Sequence, residues 1–197
     1  MSRVMSQIDH IVLLMLENRS FDNVLGWLYS GQRDQPDWFV PESGGRSGKR
    51  RFDGLYGLNL ARYRNKLVGK PTPFSKDKTY MSITPRRGAT SIGVPQWDPY
   101  EDYVHVNTQL FGREYGADRN PPKGRAASMT GFLQDYGGKW RTWATTSAQR
   151  QMAQIMQTYT PAQLPVLNGL AKSYAVCDEW FSSIPTQTNC NRAVLQN

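Results

Sequence analysis

The stretch that decides the fold is residues 11–22, which read Ile-Val-Leu-Leu-Met-Leu-Glu-Asn-Arg-Ser-Phe-Asp. The near-continuous apolar run over residues 8–16 predicts a parallel strand that is buried on both faces. A helical face follows, made of the apolar residues Phe21, Val24, Leu25 and Leu28. Ser20 is placed to cap that helix. Residues 8–28 therefore predict a strand, a short turn and a helix, which is the unit of an α/β fold.

The composition bounds the class of protein. The chain has 197 residues, a net charge of +8, 39% hydrophobic residues and 12% aromatic residues. Disordered chains are poor in apolar residues, so this content excludes a disordered tail. No window approaches the roughly 18 apolar residues of a membrane-spanning helix. The six-residue apolar run over residues 11–16 is short for a signal peptide, so no classical signal is visible and the compartment stays unknown.

Residues 30–130 form an irregular, basic, Gly- and Pro-rich region, which we interpret as an insertion within one domain spanning residues 1–197. Twelve basic residues fall here between positions 46 and 87: 46, 49, 50, 51, 62, 64, 66, 70, 76, 78, 86 and 87. Interleaved aromatic residues leave open a module that binds an anionic lipid surface or nucleic acid. The alternative is a solvated surface that draws anionic substrates. The sequence contains no recognised nucleic-acid motif, which argues against that partner.

The pattern becomes regular again from residue 131. A helical face is formed by Met152, Ile155, Met156 and Tyr159. Residues 160–163 (Thr-Pro-Ala-Gln) form a capping box that predicts a helix start, and Pro165 should bend or delay that helix. Residues 173–177 predict a second buried strand, a polar loop spans residues 182–191, and a helix begins at Arg192.

Two strand ends carry the residues with reactive chemistry. Ligands in open α/β sheets bind beyond the carboxyl ends of the strands. Glu17 and Asn18 follow the first strand, and their hard oxygen donors suit a divalent cation, although a solvated turn would look the same. The loop before the last helix offers a threonine hydroxyl at a helix mouth, where backbone N–H groups favour a phosphate. Asn191 and Arg192 add donors for phosphate oxygens, whereas the alternative is a simple N-capping threonine.

Together these segments resemble the bacterial phosphoesterase family that includes phospholipase C enzymes of the non-haemolytic type and a related acid phosphatase. That family belongs to the alkaline-phosphatase-like superfamily. The resemblance rests on residues 11–22 together with four later motifs in the family's order. These motifs are Gly-Phe-x-x-Asp-Tyr at residues 131–136, Leu-Pro-Val-Leu at 164–167, Cys-Asp at 177–178, and Pro-x-x-Thr-x-x-Asn-Arg at 185–192. Cys190 stands where the family usually has proline.

The resemblance implies a role for each matching residue. Glu17 and Asn18 match family positions that are metal ligands. Thr188 matches the position of the family's nucleophile, which forms a phospho-enzyme and also contacts the metal. Asn191 and Arg192 match positions that support the loop or the phosphate. His105 lies where the family often has a histidine near the phosphate. Asp178 is expected to orient the nucleophile loop or cap a turn, and His10 to be packed or hydrogen-bonded within the strand.

The resemblance implies an alkaline-phosphatase-like parallel sheet flanked by helices, and a metal-dependent hydrolase acting on a phosphate ester, either a phospholipid or a phosphomonoester. The identity of the divalent metal ion stays open. Relatives of this kind are typically exported. The family draws further metal ligands, including a pair of adjacent aspartates, from a C-terminal half. We therefore expect these 197 residues to be poorly active alone, and to need a missing C-terminal region or a second polypeptide. The alternative is a non-catalytic fragment that keeps the fold and has lost activity.

Overall fold

A computed structural model describes residues 8–31, 34–35, 52–69, 79–93, 95–112, 124–140 and 145–196. Its helices are α1 (Phe21–Val24), α2 (Tyr103–Phe111), α3 (Phe132–Gly137), α4 (Thr146–Gln154), α5 (Pro165–Ser173) and α6 (Thr188–Gln196), with a 3₁₀ turn at Leu60–Tyr63. The strands are β1 (Asn65–Val68), β2 (Thr79–Ile83), β3 (Arg86–Arg87) and β4 (Gln157–Thr158). The chain is thus a mixed helix and strand protein with small sheets.

The strands form two separate pairs within the described residues. Strands β1 and β2 are antiparallel, with Asn65 opposite Ile83 and an irregularity between Leu67 and Val68. Strands β3 and β4 are parallel over two residues each. The described part of the chain therefore holds two two-stranded sheets, and its mixed character is consistent with an α/β phosphoesterase fold.

The larger hydrophobic core lies between the β1–β2 hairpin and helices α3 and α4. Its buried members are Leu67, Leu133, Tyr136, Ala148, Met152 and Met156. Gly131 allows α3 to start close against α2, because a Cβ at this position would lie 1.8 Å from the Thr108 carbonyl oxygen. The Gly-Phe pair of the sequence motif therefore has a packing role: the glycine admits the neighbouring helix, and Phe132 packs against the core.

A second, smaller core joins α1 to α5. Leu25, Leu28, Tyr29 and Ala171 are its buried members. Ser20 caps α1 as the sequence predicted, accepting a hydrogen bond from the Asn23 backbone N–H over 3.2 Å. The helix itself is shorter than its apolar face suggested, since it ends at Val24 and turns carry the chain on to Leu28.

Two predicted strands are wrong within the structure. Residues 8–16 are not hydrogen-bonded into a sheet, and their apolar side chains face solvent, with Ile11 82% and Val12 92% exposed. His10 is likewise exposed. Residues 174–177 follow α5 without forming a strand. A strand requires a neighbour to complete its backbone hydrogen bonds, and no described residue pairs with either segment.

The helices predicted from residue 131 onward agree better with the structure than the two predicted strands do. Thr160 and Gln163 form the capping box, with the Thr160 N–H donating to Gln163 Oε1 over 3.1 Å. Residues 161–163 nevertheless form a turn, and α5 begins at Pro165, in agreement with the expected delay. Of the predicted helical face, only Met152 lies in α4, which ends at Gln154; Ile155, Met156 and Tyr159 follow the helix, and residues 157–158 form β4. Helix α6 begins four residues earlier than Arg192. No helix among the described residues has the length and apolar character needed to cross a membrane.

Candidate active site

A broad open cavity of ≈ 840 Å³ brings together residues that lie far apart in the sequence. Its lining includes five of the six residues that the sequence singled out: Glu17, Asn18, Thr188, Asn191 and Arg192. The turn after residues 8–16 contributes one part of the lining, and the start of α6 with its preceding loop contributes another. A carboxylate, an amide and a hydroxyl therefore share one solvent-accessible space.

The turn that carries Glu17 and Asn18 is held in an uncommon conformation. Asn18 has φ 65°, in the left-handed region that asparagine tolerates better than most residues. Next along the chain, Arg19 donates to Asn23 Oδ1 over 3.1 Å and lies over the Tyr159 ring. Asn23 in turn donates to the Gln157 carbonyl over 2.7 Å. The turn is thereby fastened through α1 to β4, and a left-handed residue at such a place is typical of functional sites.

Thr188 is the first residue of α6, so its hydroxyl lies at the mouth of a nine-residue helix. The loop before it is closed by Asn191, whose Oδ1 accepts from the Ile184 N–H over 3.1 Å. The Asn191 amide also donates to the Thr186 carbonyl over 2.9 Å. Both ends of this amide are thus engaged by the loop, so Asn191 acts as a clasp that fixes where the Thr188 hydroxyl stands.

Arg192 connects the α6 part of the cavity lining with the turn that carries Glu17. Its Nε donates to Glu17 Oε1, forming an ion pair between residues 175 positions apart. The Glu17 side chain is 25% exposed and that of Arg192 is 50% exposed. Exposed pairs of this kind contribute at most about 1 kcal/mol to stability, since water screens both charges. The pair is therefore a link that a competing ion can open.

His105 is the one predicted site residue outside the cavity lining. It lies on α2, where its Nδ1 is 2.7 Å from the Asp135 carboxylate and its ring stacks on Tyr100 at 3.9 Å. Asp135 is buried and also accepts from Gln109 Nε2 over 2.8 Å. Tyr100 does line the cavity, so His105 lies behind the wall and supports it through the stacked ring.

Asp178 lies beside the smaller core. Its Oδ2 accepts the Asp53 backbone N–H over 2.7 Å, which ties the segment after α5 to residues near Phe52. Both cysteines, Cys177 and Cys190, are unpaired and exposed.

The sequence reasoning missed Asp98 and Glu101, two carboxylates that also line the cavity. They precede α2 within an otherwise basic region, together with Asp102. That local reversal of charge was the available signal. Two exposed aromatic residues, Trp180 and Phe181, complete the rim on the side of the α6 loop.

Only part of the basic stretch between residues 46 and 87 lies among the described residues. Seven of its twelve residues, at positions 46, 49, 50, 51, 70, 76 and 78, lie outside the described residues. Of the remaining five, Arg64 donates to Thr84 Oγ1 over 3.1 Å and Arg87 lies over the Trp27 ring. The described part of the stretch therefore contributes to packing as well as to surface charge.

The donor set suits part of the shell of a hard divalent cation. Glu17, Asn18 and Thr188 offer a carboxylate, an amide oxygen and a hydroxyl, whereas such cations take about six oxygen ligands or more. No group of three His, Cys, Asp or Glu side chains suited to a metal occurs among the residues that the structure describes. These three residues would thus hold a cation only with further ligands or water.

Comparison with known proteins places the whole described span in one family. The phosphoesterase family model matches residues 8–196. The chain is similar to non-specific phospholipase C5 of Arabidopsis thaliana, with 26% identity over 96% of this chain and 30% of the relative. It is 28% identical to non-specific phospholipase C3 of the same plant, over 95% of this chain and 28% of the relative.

A bacterial relative gives the same picture. Phospholipase C A of Mycobacterium tuberculosis is 28% identical over 95% of this chain and 28% of the relative. The chain thus spans less than a third of the length of the curated relatives it matches.

Proposed function

Since the chain belongs to the phosphoesterase family, we propose that it carries the nucleophile side of a phosphoric ester hydrolase, of the phospholipase C or acid phosphatase type. The observation that carries the proposal is the meeting of Glu17, Asn18 and Thr188 in one cavity, from opposite ends of the sequence. The match to phospholipase C relatives over nearly the whole chain supports the same reaction class.

In the proposed reaction the Thr188 Oγ attacks phosphorus in line with the leaving oxygen. The Thr188 hydroxyl gives up its proton as the new bond forms, the bond between phosphorus and the leaving oxygen breaks, and the leaving alcohol takes up a proton. Water then attacks the phosphorus of phospho-Thr188, which restores the hydroxyl and releases phosphate or a phosphomonoester. A divalent cation held by Glu17, Asn18 and Thr188 would, when bound, lower the pKa of the hydroxyl and neutralise charge on the phosphoryl oxygens.

The chain's own residues set up this reaction in three ways. Asn191 holds the loop so that the Thr188 hydroxyl stands at the start of α6. The backbone N–H groups of the first helical turn are oriented to donate hydrogen bonds to a phosphate. We propose that His105 is a positioning residue: Asp135 fixes its ring, which stacks on Tyr100 in the cavity wall.

We propose further that polypeptide beyond these residues completes the site and extends the fold to an alkaline-phosphatase-like parallel sheet. Three oxygen donors fall short of a full cation shell. The apolar run of residues 8–16 also lacks a strand neighbour within the described residues. A missing C-terminal region or a second chain would supply both.

The experiment is a trapping assay with p-nitrophenyl phosphate and p-nitrophenyl phosphorylcholine in the presence of Mn²⁺. Acid quenching and peptide mass spectrometry should find the phosphoryl or phosphorylcholine group on Thr188. Thr188→Ala should abolish the adduct. Thr146→Ala is the matched control, because Thr146 is likewise the first residue of a nine-residue helix, outside the cavity.

An adduct on another residue would overturn the assignment of Thr188. Steady turnover by the isolated chain at the rate of a full enzyme would contradict the need for further polypeptide.

A further inference from the structure

We propose that Arg192 exchanges partners. It is paired with the Glu17 carboxylate while no cation is bound there, and it binds the substrate phosphate once a cation binds Glu17. This inference rests on the proposed function, in which Glu17 is a cation ligand. It assigns Arg192 a coupling role between the two halves of the site.

The first step is the position of Arg192 on α6. It follows Thr188 by four residues, so the two side chains lie on one face of the helix, one turn apart. Both line the same cavity as Glu17. A guanidinium group at this place can reach an anion next to Thr188 or the Glu17 carboxylate. The Nε–H that Glu17 accepts is one of the five guanidinium donors, and this donor cannot be directed at both anions.

The second step is the commitment of the neighbouring amide. Asn191 uses its oxygen for the Ile184 N–H and its NH₂ group for the Thr186 and Gln187 carbonyls. It therefore has no unused group to offer to a phosphate. Of the two residues in the Asn-Arg pair, Arg192 is the one whose partner can be exchanged.

The third step is the nature of the present partner. The Arg192 side chain is half exposed, and its ion pair with Glu17 lies in the lining of the open cavity. An exposed pair is weak, because both charges remain near water. A divalent cation at Glu17 repels the guanidinium and competes for the same carboxylate oxygens. The displaced guanidinium can then form a charge-assisted hydrogen bond to phosphate.

The test is a double-mutant cycle on phosphate binding, carried out on the full chain in EDTA. Inorganic phosphate is titrated against wild type, Glu17→Gln, Arg192→Met and the double variant, with binding followed by phosphorus NMR. Glu17→Gln imitates the loss of the carboxylate to a cation. It should tighten phosphate binding about threefold to fivefold, as expected for release of an exposed ion pair.

The gain should fall below about twofold when Arg192 is methionine, because only the weak repulsion between Glu17 and phosphate is then removed. A second cycle with Arg192→Gln keeps a polar side chain in case methionine disturbs α6. Equal gains in both backgrounds, or no gain with Arg192 present, overturn the exchange.

A parallel titration separates this inference from the proposed function. Mn²⁺ binding to the same four proteins is followed by electron paramagnetic resonance of the free ion. Arg192→Met should bind Mn²⁺ a few-fold more tightly than wild type, and Glu17→Gln should lose binding. If Glu17→Gln binds Mn²⁺ as well as wild type, the cation site of the proposed function fails, and the cation-driven exchange fails with it. If Glu17→Gln loses Mn²⁺ binding but the phosphate gains are equal in both backgrounds, the cation site stands and the exchange alone is overturned.

Discussion

Apolar side chains are buried around β1, α3 and α4 but largely exposed near the cavity. Around β1, α3 and α4 the side chains of Leu67, Leu133, Tyr136 and Met152 are fully buried. In the segment that leads to the cavity, residues 11–14 are exposed; Phe181 in the cavity lining is exposed as well, and α6 has no buried residue. The chemistry-bearing residues thus lie in a region with few buried side chains, which is where proteins commonly place function.

The largest contrast is expected from matched leucine truncations. Leu133→Ala should lower the free energy of unfolding by about 2–5 kcal/mol, because Leu133 is fully buried in the larger core and its loss leaves a cavity. Leu14→Ala, in the exposed run, should change it by about 0.5 kcal/mol or less. Urea denaturation of both variants gives the comparison. Similar losses in the two variants would mean that residues 8–16 are packed in solution.

That contrast also explains what the sequence could predict. Local signals were read correctly: Ser20 as a cap, the Thr160–Gln163 box, the delay by Pro165 and a hydroxyl at the start of the last helix. Each depends on residues within one turn of one another. The apolar run of residues 8–16 was misjudged because a strand is defined by its neighbour, and the run itself says nothing of where that neighbour is.

The candidate site shows the same limit. Glu17, Asn18 and Thr188 were found because they follow recognisable patterns, and they share a cavity in the structure. Glu101 and Asp98 were missed because their place in the lining is set by tertiary packing. The position of His105 in the sequence could not reveal that its ring is hydrogen-bonded to Asp135 and stacked on Tyr100.

The buried carboxylate of Asp135 offers the next largest effect. Its oxygens accept from His105 Nδ1 over 2.7 Å and from Gln109 Nε2 over 2.8 Å, at the border between core and cavity wall. Asp135→Ala should cost about 1–3 kcal/mol, because it leaves two part-buried donors without their acceptor. Thermal unfolding measures the loss, and exposed Asp9→Ala is the control.

A double variant with His105→Ala tests how the cost is shared. If the two changes add fully, the His105–Asp135 contact carries none of the energy, and the cavity wall does not depend on it.

A smaller effect compares the same cap chemistry in the two regions. Thr145 caps α4 through the Ala148 N–H, and Ser20 caps α1 through the Asn23 N–H, both over 3.2 Å. Loss of either cap should cost about 1 kcal/mol in its own helix. Thr145→Ala should lower the midpoint of global unfolding more than Ser20→Ala, because α4 contributes Ala148 and Met152 to the larger core. The reverse order would show that the turn beside the cavity is part of the cooperative unit.

The smallest effect concerns Asp22, next to the turn that carries Glu17 and Asn18. Loss of solvent around its carboxyl, and then the nearby Asp53 carboxylate, raise the pKa of Asp22 above its ordinary value. A carboxyl whose pKa is higher in the folded state stabilises the fold fully only below its unfolded pKa, and that contribution is lost as the pH rises through the folded pKa. Asp22→Asn should therefore raise the melting temperature slightly at pH 7, and the difference should vanish near pH 3. The residue as a whole remains exposed, so the gain is modest. Asp9→Asn removes an equivalent charge elsewhere; an equal gain in that variant would assign the effect to net charge alone.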